Sequence, residues 1–157
     1  MNTCCIETPI GYAKIVGNED GIVSVSIVDK SENISEIIPE ILLDCVTQLK
    51  AYFNNKLTTF NLKLNPEGTE FQKKVWKQLK KIPFGKTISY LDLAKELGNP
   101  KTIRAVANAN AKNPLWIIVP CHRVIGSNGS LTGYAGGLHR KQWLLNHESK
   151  HKQQTLF

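Results

Sequence analysis

The sequence predicts an α+β chain in two parts, a small antiparallel-sheet unit followed by a mostly helical one. Three observations carry that expectation. Two β-rich runs flank a four-residue turn near the start. A helix-period apolar stripe follows them. Beyond residue 66 the pattern becomes helix, tight glycine turn and helix, and then an apolar run that ends in a cysteine.

Tyr12 to Val16 and Ile22 to Val28 are the β-rich runs, with Asn18-Glu19-Asp20-Gly21 as the turn between them. Pro39 suits a first helical turn, because its missing N–H is one no helix would use there. Ile41, Leu42, Cys45, Val46, Leu49 and Phe53 then recur at helical spacing. Phe60, Leu62 and Leu64 alternate and predict a half-buried strand. Asn65-Pro66-Glu67-Gly68 marks a boundary, giving an N-terminal domain at 1–65, a C-terminal domain at 66–148 and a tail at 149–157. After it, Phe71, Val75, Leu79 and Ile82 form one stripe, with five lysines largely outside it. Thr87 or Ser89 can cap a short helix that ends at Gly98-Asn99, and Pro100 opens the next, over 101–111. Leu115 to Val119 predicts a buried strand, and Leu138 to His147 a last helix with Trp143, Leu144 and Leu145 inward.

The 157 residues are 41% hydrophobic, enough for one ordinary domain or two small ones. The sequence shows no bilayer-length apolar run and no secretory start, so a soluble cytoplasmic protein is expected. Four cysteines without a CxxC pair suggest neither a disulfide framework nor a zinc site. The net charge of +7 is unevenly spread. Residues 1–62 carry four Lys/Arg against eight Asp/Glu, a net of −4, whereas residues 63–157 carry sixteen against five, a net of +11. A polyanion partner is therefore expected on the second part only.

Pro120-Cys121-His122-Arg123 lies in that basic part. A thiol becomes a strong nucleophile on losing its proton, and neighbouring positive charge lowers its pKa. Such a thiolate can attack carbonyl carbon, sulfur or saturated carbon. On an extended strand Cys121 and His122 would point to opposite faces, so they would meet only through a turn or a water. Glu148 is the candidate carboxylate to orient the imidazole; its alternative is a residue that merely ends a surface helix.

Six linked blocks resemble the O6-alkylguanine-DNA alkyltransferases, the methylated-DNA–protein-cysteine methyltransferases. They are Phe84-Gly85-Lys86-Thr87-Ile88-Ser89-Tyr90, Arg104-Ala105-Val106, Asn113-Pro114, Ile117 through Gly126, Leu131 through Leu138, and Trp143-Leu144-Leu145 through Glu148. The resemblance covers about residues 66–148 and implies a ribonuclease-H-like N-terminal domain and a helix-turn-helix in the other. It implies irreversible, single-turnover repair, in which Cys121 keeps an alkyl group taken from O6 of guanine, or from O4 of thymine, and no metal or organic cofactor is needed. His122, backed by Glu148, is the implied base, Tyr90 the donor to the departing guanine, and Asn113 the residue that orients the thiol or fixes the turn beside it. Tyr134 would wall the base pocket, with Ala135, Gly136 and Gly137 offering backbone N–H groups. The target base must leave the stack. Arg104 is the implied finger filling the gap, and the small residues of its helix, Ala105, Ala107, Ala109 and Ala111, would sit in the minor groove. Asn108 and Arg123 complete the implied DNA-binding set.

Two features depart from the family pattern. Trp116 stands where relatives carry a small residue or proline; it either narrows the pocket against O6-benzylguanine or is core. Ala107-Asn108 replaces a glycine-containing pair. Double-stranded DNA is the expected partner of a monomer that is nucleoid-associated when bound. Residues 153–157, Gln-Gln-Thr-Leu-Phe, resemble peptides that dock on DNA sliding clamps. A regulatory DNA-binding protein leaves Cys121-His122 with Glu148 unexplained, and a Cys–His hydrolase leaves Arg104 and the charge split unexplained.

Overall fold

The computed structural model describes residues 1–30 and 34–155, with side chains to Ser149. The chain packs as two units. One is Met1–Glu67 with Pro114–Ile118; the other is Gly68–Asn113 with the chain from Val119 on. The clamp-like residues 153–157 lie outside the described side chains.

In the first unit, β1 (Asn2–Thr8), β2 (Gly11–Asn18) and β3 (Gly21–Val28) form an antiparallel sheet in the order β1-β2-β3. Cys4 and Ile6, Ala13 and Ile15, and Val25 and Ile27 are buried, two residues apart on each strand, as the pleat requires. The β2–β3 turn needs glycine. Gly21 has φ +133°, and a Cβ there would stand 2.7 Å from the Lys63 carbonyl oxygen. Helix α1 (Glu40–Phe53) buries Leu42, Cys45, Val46, Leu49 and Tyr52, at the spacing of one helical face, and packs on β1 and β2. Each such aliphatic side chain contributes about 1.5–3 kcal/mol by leaving water.

Two expected strands are absent. Residues 60–63 are unpaired in any sheet, and Leu64 makes only an isolated bridge to Ile22. The reason is a side chain. Gln48 on α1 accepts the Asn61 N–H at 2.8 Å and donates to the Asn61 carbonyl at 2.9 Å, so that backbone is satisfied without a strand partner. The apolar run 115–119 bridges Val25 only at Leu115. It then turns sharply. Ile117 sits at φ +73°, and the Ile118 N–H reaches the Trp116 carbonyl at 2.8 Å, which is a γ-turn with a left-handed centre. A β-branched residue there stores about 1–3 kcal/mol of strain.

In the second unit α2 (Glu70–Leu79) starts with a capping box. Thr69 Oγ1 accepts the Gln72 N–H at 3.1 Å, and Gln72 Oε1 accepts the Thr69 N–H at 2.9 Å. Its buried face is Val75, Trp76 and Leu79; Phe71, expected in that stripe, is exposed. Trp76 Nε1 donates to the Ala109 carbonyl at 2.8 Å. Helix α3 (Tyr90–Glu96) is capped by Ser89, whose Oγ accepts the Asp92 N–H at 3.0 Å. Gly98, at φ +105°, ends it. A 3-10 turn at Pro100–Thr102 leads into α4 (Ile103–Ala111), so the helix expected over 101–111 has a tighter first turn. Short strands β4 (Ile88–Ser89) and β5 (Val124–Ile125) pair in parallel, which brings the start of α3 beside the residue after Arg123. Helix α5 (Leu138–Thr155) runs beyond the expected end at His147. Leu144 is fully buried in it, while Trp143 and Leu145 are half-buried. Among the described residues no helix is long and apolar enough to cross a membrane.

Candidate active site

Proline sets the approach to the cysteine. Pro120, with φ −81° and ψ 64°, is the centre of an inverse γ-turn in which the Cys121 N–H donates to the Val119 carbonyl at 2.8 Å. Cys121–Arg123 then forms a 3-10 turn, closed by the Arg123 N–H on the Pro120 carbonyl at 3.0 Å. The extended geometry expected here is replaced by a tight turn, and Cys121, His122 and Arg123 are all buried. Asn113 Nδ2 braces the approach by donating to the Val119 carbonyl at 2.8 Å.

His122 Nε2 lies 2.7 Å from Glu148 Oε2. An ionised carboxylate only accepts, so Nε2 carries the proton and Nδ1 presents its lone pair. Nδ1 is buried and makes no hydrogen bond to the described protein. Burial lowers the His122 pKa, and the charges of Arg123 and Lys141 lower it further, against the opposing pull of Glu148. The ring is therefore neutral and basic at Nδ1. Glu148 is itself fully buried. Burial pushes its carboxyl up, but His122 and Arg123 together outweigh that and hold it well below the usual carboxylate range.

Two expectations change here. Arg123 does not face DNA. It is 6% exposed, its Nε and Nη2 donate to Glu148 at 2.8 and 3.0 Å, and its Nη1 to the Ile82 carbonyl at 2.6 Å. Its guanidinium is a buried strut for the carboxylate. Nor does the cationic neighbourhood bring the thiol's pKa below its ordinary value. Burial pushes Cys121 up to about 11, although the Asn113 side chain and Lys141 pull the other way. The charge adjacent in sequence belongs to Glu148 and not to the sulfur.

Tyr90, the first residue of α3, donates its hydroxyl to the Thr132 carbonyl at 3.0 Å. Burial raises its pKa, and so does the proximity of Cys121. Tyr90, Arg104, Ala107, Ala111, Thr132 and Gly133 line a cavity of about 310 Å³. A larger cavity of about 590 Å³ lies between the end of α2 and α3, lined by Lys81, Lys86 and Lys95 among others, with no cysteine in its lining. On α4, Arg104, Ala105, Asn108 and Ala111 are exposed, Ala107 is half-buried and Ala109 faces the core. Tyr134 and Gly136 are buried and Ala135 is exposed. The Gly137 N–H already closes a turn on the Tyr134 carbonyl at 3.0 Å, so it is not the free donor expected. Trp116 is half-buried and belongs to the first unit, its N–H on the Val25 carbonyl at 3.1 Å.

The sequence reading missed two site residues. Asn110 is buried, its Nδ2 3.4 Å from the Cys121 carbonyl, and its side chain acts to lower the Tyr90 pKa against burial. A polar residue in a run of alanines was the available signal. Lys141 is completely buried, and nothing local distinguished it from the lysines of exposed helix faces. Among the described residues no three His, Cys, Asp or Glu side chains gather as metal ligands.

Comparison with known proteins agrees with this geometry. Residues 3–66 match the ribonuclease-like domain of 6-O-methylguanine DNA methyltransferase, and residues 70–150 match its DNA-binding domain. A methylated-DNA--protein-cysteine methyltransferase of Methanosarcina acetivorans is 49% identical over 155 residues, covering 94% of this chain and 98% of that one. One of Mycolicibacterium paratuberculosis is 43% identical over 155 residues, covering 96% and 94%. The crystal structure of Mycobacterium tuberculosis OGT in complex with DNA superposes with a TM-score of 0.86 at 40% identity, covering 96% of this chain and 94% of that one. The chain belongs to the 6-O-methylguanine DNA methyltransferase family through both of its domains.

Proposed function

We propose that this chain repairs O6-alkylated guanine in duplex DNA by moving the alkyl group onto the sulfur of Cys121. The observation that carries the assignment is the buried Cys121-His122-Glu148 array, in which the carboxylate fixes the imidazole tautomer and leaves Nδ1 free to accept a proton. His122 takes the thiol proton, through a water, as the sulfur attacks the O-alkyl carbon. The sulfur–carbon bond forms while the carbon–O6 bond breaks, and the electron pair stays on the guanine. Tyr90 hands its hydroxyl proton to the guanine, and the proton on His122 returns to the phenolate through solvent. Net, one proton passes from sulfur to base. No group in the site displaces carbon from a thioether, so each molecule acts once.

Exposed Arg104 and the small side chains of α4 suit insertion beside a base swung out of a minor groove, and the cavity they share with Tyr90 is apolar enough for its flat ring. Helices α3 and α4, joined through Gly98, act as the helix-turn-helix. O4-alkylthymine is a second substrate of the same geometry, and residues 153–157 are a ligand for a sliding clamp. The direct test is incubation with duplex carrying labelled O6-methylguanine. Label appears on Cys121 in stoichiometric yield and is absent from Cys121→Ala. Label elsewhere, or turnover beyond one equivalent, contradicts the assignment.

A further inference from the structure

The outer face of α2 is strongly basic, and the chemistry at Cys121 makes no use of it. Lys73, Lys74 and Lys77 are exposed on this helix, and Lys80 and Lys81 follow at its end, exposed as well. Lys74, Lys77 and Lys81 stand three and four residues apart, which puts them in one row on the side opposite the buried Val75, Trp76 and Leu79. None of these lysines forms an ion pair among the described residues, and that includes Lys74 with Glu70, a turn before it on the same face. Lys81 carries the row into the cavity of about 590 Å³, where Lys86 and Lys95 join it beside Asp92 and Glu96; Glu96 is held by Gln78 at 3.0 Å. Like charges at these spacings destabilise a helix. The dipole at its C-terminus favours Lys77 and Lys81 but gives Lys74, in its middle, no such support.

We infer that the lysine row of α2 is a second DNA contact: it grips the phosphate backbone of a separate duplex segment while α4 holds the first, so that the protein passes between segments without going free. This inference rests on the reading that α4 takes up duplex DNA. The geometry requires a separate segment. Helices α2 and α4 pack through their buried sides, with Trp76 Nε1 on the Ala109 carbonyl at 2.8 Å. On α4 the exposed Arg104, Ala105, Asn108 and Ala111 lie opposite the buried Val106, Ala109 and Asn110. The two exposed faces therefore point away from each other, and one straight duplex cannot lie on both. Charge and spacing point to phosphate. At about 1.5 Å per residue the row extends about 10 Å. A DNA strand carries about one phosphate per 3.4 Å of axis, so about three phosphates fall along three ammonium groups. A protein partner fits less well, because lysine is depleted from the cores of protein interfaces and apolar anchors are needed there. Among the described residues of α2 the one exposed large apolar side chain is Phe71, before the row begins. Lysine grips phosphate as a point charge and reads no base edge from the backbone, which suits a search over undamaged DNA.

The test uses the full-length wild type, a Lys74→Gln, Lys77→Gln, Lys81→Gln variant, and a control that loses three exposed lysines of the first unit, Lys14→Gln, Lys50→Gln, Lys56→Gln. Each protein is bound to a fluorescent undamaged duplex and mixed with rising concentrations of unlabelled duplex, and stopped-flow fluorescence reads release. Direct passage makes release faster as the competitor rises, whereas release through free protein is independent of it. Wild type and control are expected to accelerate, and the α2 variant to stay flat. Beads that carry one duplex and are loaded with wild-type protein also retain a second, labelled duplex. In the α2 variant that retention weakens, and the slope of its log affinity against log salt is smaller by about 2–3. Single-turnover transfer from a short O6-methylguanine duplex, at saturating protein and without competitor, is the same in all three. Wild-type release that ignores the competitor overturns the inference, as does an α2 variant that keeps the wild-type dependence or a control that loses it. Acceleration by poly-glutamate equal to that by duplex makes the row a general polyanion contact and overturns the DNA assignment. A wild type that binds no duplex, or takes no label on Cys121, removes the reading beneath the inference; a labelled wild type with flat release removes the second contact alone.

Discussion

Replacing Glu148 by glutamine preserves shape and removes one charge from the most connected carboxylate of the second unit. That carboxylate accepts from His122 Nε2 at 2.7 Å, Arg123 Nε at 2.8 Å and Arg123 Nη2 at 3.0 Å, all away from water. Glutamine offers one acceptor oxygen, and turns an N–H₂ donor toward groups that are donors themselves. Arg123 is then a buried cation without a counter-charge, which costs about 3–5 kcal/mol. At roughly 2–4 °C per kcal/mol for a protein of this size, the melting temperature falls by about 6–20 °C. Thermal unfolding by circular dichroism at pH 7 reads it, and an Arg123→Met, Glu148→Met pair should be milder than Glu148→Gln alone, since no charge is stranded. The pH dependence has a definite sign. The Glu148 pKa is depressed in the fold, so its contribution is present above the ordinary carboxylate value of about 4.3 and is lost as pH falls toward the folded value. The His122 pKa is also lowered, so the unfolded chain takes up a proton below about pH 6.5 that the fold refuses, and stability declines from there downward. Glu148→Gln flattens the lower limb. A variant within about 1 kcal/mol of wild type at pH 7 would refute the reasoning, because the buried triad would then not be a coupled unit.

Three further outcomes are expected. Tyr90→Phe slows transfer about a hundredfold with duplex affinity unchanged, the loss of one positioned proton donor; stopped-quench transfer assays read it, and an unchanged rate removes Tyr90 from the donor role. Arg104→Ala, at an exposed position, leaves the melting temperature in place and slows transfer from duplex while reaction with the free O6-methylguanine base is unaffected; equal losses on both substrates would mean that Arg104 acts on the base and not on the helix. Trp76→Phe removes the indole N–H bond to the Ala109 carbonyl at 2.8 Å, while that carbonyl keeps the Lys112 N–H at 3.2 Å, destabilising the protein by about 0.5–1.5 kcal/mol in urea titration.

What was legible in the sequence was what local pattern specifies. Strands β2 and β3 followed from alternation around Asn18–Gly21, α1 from its spacing, and α3 from a serine cap and a glycine stop. Elements settled by distant partners were not legible. Residues 60–64 alternate like a strand, yet Gln48, a side chain thirteen residues away from Asn61, satisfies that backbone instead. Leu115 to Val119 is apolar throughout, a run that periodicity cannot assign, and the turn at Ile117 contradicts the residue's own preference. The site followed the same division. Cys121 and His122 are legible from residue type and order, whereas Glu148 stays one of two alternatives until the family resemblance is added. Arg123 was misread because a charge beside a nucleophile says nothing of where its partner lies, and here the partner is a carboxylate 25 positions on. Lys141 was missed because its two carbonyl acceptors come from segments 17 and 9 residues earlier.

The height of the Cys121 pKa changes which group does the activating. Burial pushes the thiol up to about 11, so the protonated thiol is the resting form at pH 7. Proton removal has to accompany attack, and the neutral His122 with an uncommitted Nδ1 is the group placed to do it. Burial that disfavours the free thiolate also shields it from small electrophiles in solution. A methyl group delivered in line and held in contact gains the effective concentration of an intramolecular reaction, about 7–11 kcal/mol for the best-aligned cases, which no dissolved alkylator receives. For a protein spent by one event, that difference separates repair from waste. It also predicts a measurable contrast. Cys121 should react with iodoacetamide more slowly than the half-exposed Cys5 of the same molecule, yet be the one cysteine labelled by methylated duplex.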